Sequence, residues 1–147
     1  MINGLLKHGL LYGLLGTLAM TAMMVLATVT GLSPMPAPVP VALAKWALGG
    51  LGQPVLVTIG MILHFLYGAL AGAAFALLFR RKLNLWMGWV WAVLLWLGMQ
   101  LIFLPLLGWG VFGSNVNLRI SMATLILHLI YGGVLGWGLG RQRRSTA

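Results

Sequence analysis

The side chains best suited to chemistry in this sequence are two histidines set in a repeated phrase. His64-Phe65-Leu66-Tyr67-Gly68-Ala69-Leu70-Ala71-Gly72 and His128-Leu129-Ile130-Tyr131-Gly132-Gly133-Val134-Leu135-Gly136 both read His-x-x-Tyr-Gly-x-x-x-Gly. A looser form, His8-x-x-x-Tyr12-Gly13-x-x-Gly16, stands near the start. Two neutral imidazoles on facing helices can ligate a haem iron or a copper, or touch a pigment or quinone in a neighbouring subunit. His64 and His128 are therefore the candidate cofactor-binding residues; a haem or pigment is compatible with them and none is required. Nothing acidic stands beside them, because Asp+Glu is 0 and Cys is 0. That removes carboxylate acid–base pairs, calcium and magnesium sites, membrane carboxylate relays, thiol nucleophiles and disulfides. No metal site and no catalytic residue is assigned, and the expectation is that the protein is not an enzyme. Only a redox role lent by a bound cofactor would survive these exclusions.

Helical spacing places His64, Tyr67, Gly68, Ala71, Gly72 and Phe75 on one stripe. His128, Tyr131, Gly132, Leu135 and Gly136 form the matching stripe. Gly68, Gly72, Gly132 and Gly136 let backbones approach closely, which is how membrane helices pack without a hydrophobic drive between them. The two stripes are expected to point inward and toward each other. His64 lies 16 positions before Arg80, and His128 lies 13 before Arg141. At about 1.5 Å per residue both stand ~20–24 Å from those charges, and Gln100 falls at a similar depth. Met23 and Met24 reach roughly the same level. His64, His128 and Gln100, with Tyr67 and Tyr131, thus make a polar layer that can be read three ways. It is an interhelical hydrogen-bond cluster worth about 0.6 kcal/mol per bond, a ligand site, or the polar lining of a transport path.

The elements that carry these residues follow from composition. Of 147 residues 61% are hydrophobic and only 6% charged, against roughly 25% charged in soluble domains. Four apolar runs, 5–30, 55–79, 83–107 and 120–138, are each near the ~20 residues a bilayer core requires. None alternates polar with apolar residues, so all are helices rather than barrel strands. The first run is longer than the roughly 7–15 apolar residues of a signal peptide and is expected to remain as a span. The fold class is all-α, a single four-helix membrane bundle over 1–147. The repeated phrase suggests two duplicated helical hairpins in parallel. Pro34, Pro36, Pro38 and Pro40 make 32–40 an extended ribbon. A short interfacial helix is expected over 41–49 and a Gly- and Asn-rich loop over 108–119. Pro54 and Pro105 read as helix-end punctuation. Trp46 and Trp109 suit one interfacial belt, and Trp86, Trp89 and Trp137 the other. Trp91 and Trp96 are expected to face lipid or a partner.

Charge sets the orientation. Lys7, Arg80, Arg81, Lys82, Arg141, Arg143 and Arg144 fall on one side of the four spans, and Lys45 and Arg119 on the other. Both termini are therefore expected in the cytoplasm. The net charge of +9 sits in small groups at helix ends and not on a solvated basic face. Anionic lipid headgroups or acidic neighbouring subunits fit it, and nucleic acid does not.

The stretch Gly16-Thr17-Leu18-Ala19-Met20-Thr21-Ala22-Met23-Met24, the turn Gly31-Leu32-Ser33-Pro34, and His64 with Tyr67-Gly68 resemble an uncharacterised group of small bacterial four-helix inner-membrane proteins. The resemblance implies a fold and a bacterial inner-membrane location, and no activity. With almost no soluble mass and no catalytic set, the chain is expected to be a structural or accessory subunit of a larger membrane-embedded complex, energy-transducing ones included. Its partners would be other membrane subunits or further copies of itself. The alternative is a small oligomeric transporter or channel for an anion or neutral solute.

Overall fold

The computed structural model describes residues 2–145, with side chains through Gln142. Among the described residues four helices are long and apolar enough to cross a membrane. They are α1 (Ile2–Val29), α3 (Gln53–Leu78), α4 (Leu85–Leu106) and α5 (Arg119–Ser145), and a shorter α2 (Val39–Ala47) lies between the first two. The architecture is all-helical, as composition demands. Helix ends fall where backbone chemistry puts them. Gly31, at φ 73°, takes the left-handed conformation just past α1, which glycine adopts without a Cβ clash. Pro54 sits in the first turn of α3, where a missing N–H removes no bond. The Asn84 side chain accepts the Met87 N–H at 2.9 Å and caps α4.

Two boundaries move from expectation. α2 begins at Val39, so Pro40 belongs to its first turn and not to the ribbon. α5 runs past residue 138 because Gly140 packs on Leu83 and Asn84, and Gln142 meets His8 of α1. That contact also brings the start of α1 and the end of α5 to one end of the bundle. The turn joining α3 to α4, with Arg80, Arg81 and Lys82, lies at the same end. The other linker holds a short 3-10 turn, Val111–Gly113, in which Phe112 adopts φ 56°. That left-handed backbone costs a bulky residue of order 1–3 kcal/mol, and the Phe112 ring packs tilted against Trp96, with ring centroids 5.7 Å apart.

In space the spans form an open row, α3–α1–α5–α4. α1 packs on α3 and on α5, α4 packs on α5, and α2 packs on α3. α3 and α4 stand at the two ends of the row and do not pack along their length. The row curves until Phe75 of α3, and Phe79 just past its end, meet Trp91 of α4, with ring centroids 6.3 and 5.9 Å apart. One core, around Phe75, Ala76, Tyr131, Leu135 and Leu139, fills the half of the bundle nearer the arginines. A second, of Val39, Met99, Leu104 and Ile120, lies under α2.

Trp91 and Trp96 do not face outward. Trp91 packs against the first core. The Trp96 indole N–H donates to the Ser121 carbonyl at 3.0 Å and toward the Thr124 hydroxyl at 3.3 Å. An indole N–H gains more from a fixed acceptor than from hydrocarbon. The two stripes point inward and meet through their larger residues, but their glycines pair elsewhere. A methyl group on Gly72 would stand 2.7 Å from the Gly13 Cα, and one on Gly136 2.9 Å from the Gly88 Cα. The glycines of each stripe therefore close their own hairpin, α3 on α1 and α5 on α4, while the larger stripe residues Ala71, Phe75, Tyr131 and Leu135 meet in one core.

Candidate functional site

The expected polar layer is built from separate pieces. α4 carries a π turn over Met99–Phe103, where the Leu104 N–H reaches back to the Met99 carbonyl. Pro105 just beyond supplies a cause: its ring crowds the carbonyl four residues earlier, and the wider turn relieves the clash. The π turn holds Gln100, which is fully buried. Its Nε2 donates to the Thr124 hydroxyl at 2.9 Å, and that hydroxyl donates to the Ile120 carbonyl at 2.7 Å. One turn on, Nδ1 of His128 lies 2.8 Å from the Thr124 carbonyl. A carbonyl only accepts, so Nδ1 carries the proton and Nε2 of the neutral ring is left as an acceptor. Gln100 and His128 are thus joined through Thr124, a residue outside the repeated phrase. Its position one helical turn before His128 was the available signal.

His64 lies outside this network. Its Nε2 is buried without a hydrogen-bond partner among the described residues. The two tyrosines also part company. Tyr131 is 3% exposed and donates its hydroxyl to the Gly68 carbonyl at 2.8 Å. Tyr67, at the matching position of the repeat, is 46% exposed. Met24 is buried and turns inward, whereas Met23 is exposed.

What reunites these side chains is a cavity of about 200 Å³ between α3 and α4. His64, Tyr67 and Leu63 line it from α3, and Leu95, Met99 and Phe103 from α4. Thr124, His128 and Tyr131 form its wall on α5, and Thr17, Met20 and Met24 its wall on α1. Met35, Val39, Pro40 and Leu43 roof it from the ribbon and α2. The roof was not legible in the sequence, since only the fold lays α2 over the open end of the row. Gln100 stands behind the wall and does not reach the space.

A cavity that holds one benzene measures about 150 Å³, so this one accepts a single ring and not a four-ring macrocycle. A haem or chlorin would have to approach His64 or His128 from a neighbouring chain through the gap between α3 and α4. Among the described residues no group of three His, Asp or Glu could hold a metal ion. The charged residues named from the sequence stay at the bundle's end. Arg80, Arg81, Lys82 and Arg141 are exposed, and the Arg141 guanidinium lies 5.6 Å from the centre of the Trp137 ring. The side chains of Arg143 and Arg144 lie outside the described residues.

A model of the family of unknown function DUF6789 matches residues 5–147. The chain belongs to that family. The DUF6789 match takes in both histidine phrases and every lining residue of the cavity, and it agrees with the resemblance to an uncharacterised group. No match was found among the curated proteins or among the solved structures.

Proposed function

We infer that this protein is a structural or accessory subunit of a larger membrane-embedded complex, in a bacterial inner membrane, with both ends in the cytoplasm. The observation that carries the reading is the open gap between α3 and α4. Two hairpins that use the same glycine contacts could meet along two seams, and this chain closes only the one between α1 and α5. The other seam has Leu63 and Tyr67 of α3 at its rim, 53% and 46% exposed. A neighbouring helix there would complete the ring and reach the histidines. The arginine-rich end supports contact with anionic lipid or an acidic neighbour, and the excess of positive charge at that end supports a cytoplasmic assignment. The absence of carboxylates and thiols supports a non-enzymatic role. Gentle native purification with mass spectrometry of co-purifying chains tests this. Stoichiometric partners are expected, and a chain that always emerges alone would overturn it.

A small oligomeric transporter for an anion or neutral solute is the second reading, and the cavity is what favours it. The core around Phe75, Tyr131 and Leu135 fills the bundle beneath that cavity, so any route would have to run between copies. Liposome flux that ignores His64→Ala and His128→Ala would exclude a histidine-lined path.

A further inference from the structure

The geometry points to the cavity between α3 and α4 as a binding site for a membrane-soluble molecule with a single ring and a hydroxyl group, entering sideways from the bilayer. The inference concerns the chain by itself, with the gap between α3 and α4 facing lipid. Size is the first argument. About 200 Å³ is slightly more than one aromatic ring displaces when it fills an apolar cavity.

Chemistry is the second. Most of the wall is hydrocarbon or thioether, and Met20, Met24, Met35 and Met99 supply flexible side chains that mould to a ring. The polar atoms gather in one layer. The Thr124 carbonyl holds the His128 Nδ1 proton at 2.8 Å, so Nε2 can only accept from a neutral partner. His64 Nε2 is buried without a hydrogen-bond partner among the described residues. An acceptor of fixed tautomer requires a donor, which a ketone, ether or plain hydrocarbon lacks and a hydroxyl has.

Access is the third. α2 and the ribbon cover the end of the cavity, and the aromatic contact of Trp91 with Phe75 and Phe79 stands on its inner side. The remaining rim is lateral, where Leu63 is 53% and Tyr67 46% exposed.

The test uses the full chain in lipid nanodiscs, with empty nanodiscs as the blank, and fluorine NMR of three probes. 4-Fluorophenol, 4-fluoroanisole and fluorobenzene share a ring, and only the phenol donates. Saturable binding of the phenol, about tenfold tighter than of its methyl ether, is expected from one buried hydrogen bond. His128→Leu should bring the two within about threefold of each other while ring binding persists. Leu63→Trp, a change at an exposed position, should weaken all three at least tenfold. Equal binding of phenol and ether to the wild type, or no saturable binding of any probe, would overturn the site. Leu63→Trp binding like the wild type would overturn the lateral entry. Should His128→Leu not fold, the wild-type preference and Leu63→Trp still decide.

Discussion

The two hairpins of this bundle are built on one plan and end in different environments. In the first, Gly13 of α1 lies against Gly68 and Gly72 of α3; in the second, Gly88 of α4 lies against Gly132 and Gly136 of α5. Even the flanking atoms correspond, since Gly72 abuts the Gly9 carbonyl and Gly136 the Asn84 carbonyl. The same spacing that aligns Gly13 with Gly88 aligns Gly16 with Trp91. At the closed seam Gly16 makes room for the Tyr131 ring: a methyl group there would stand 2.9 Å from the Tyr131 carbonyl oxygen and 3.0 Å from its ring. At the open seam a tryptophan fills the equivalent place and meets Phe75 of α3 and Phe79 just past its end. The position matching Tyr131 is Tyr67, which finds no such slot and remains half exposed. The two seams thus differ by one small residue at the closed one and one large residue at the open one.

Copying the wedge into the closed seam should be the most damaging change. Gly16→Trp has no space beside Tyr131, and overpacking of this kind costs about 1–3 kcal/mol or more even for smaller insertions. Loss of the folded bundle, seen by circular dichroism in detergent, is expected; a stable Gly16→Trp would break the comparison.

Removing the wedge should act in the opposite sense. Trp91→Ala forfeits the ring contacts and is expected to destabilise by up to about 3 kcal/mol, the low end for a buried tryptophan because Trp91 is only partly buried. The seam should also narrow. Because the chain has Cys 0, spin labels at Leu66→Cys and Leu94→Cys would be unique, and their separation should shorten in Trp91→Ala. An unchanged distance would mean that something other than Trp91 holds the seam open.

Gly72→Val and Gly136→Val sharpen the comparison. Each forces apart a backbone-to-backbone contact, at about 1–3 kcal/mol, and the two losses in an SDS unfolding titration should agree if the hairpins are equivalent.

The smallest effect separates the tyrosines. Tyr131→Phe removes the bond to the Gly68 carbonyl and should cost about 0.6–1.7 kcal/mol. Tyr67→Phe should leave the midpoint unchanged. Equal losses would remove the asymmetry at this layer.

What the sequence determined by itself is what depends on local properties. Length and hydropathy give four spans, because an uninterrupted apolar run can satisfy its backbone in a bilayer only as a helix. The absence of Asp, Glu and Cys closes off chemistry whatever the fold. Helical spacing identifies Gly68, Gly72, Gly132 and Gly136 as faces for close packing, since residues three and four apart share a side. Periodicity says nothing of which helix each face meets. The pairing of each stripe's glycines within its own hairpin, the inward turn of Trp91 and Trp96, and the covering of the cavity by α2 were decided by tertiary packing. The same holds for the two histidines. Their types and depth were legible, but their different fates were not. His128 is tied to Thr124 by a partner on its own helix, whereas His64 is left facing the cavity because its surroundings come from helices distant in sequence.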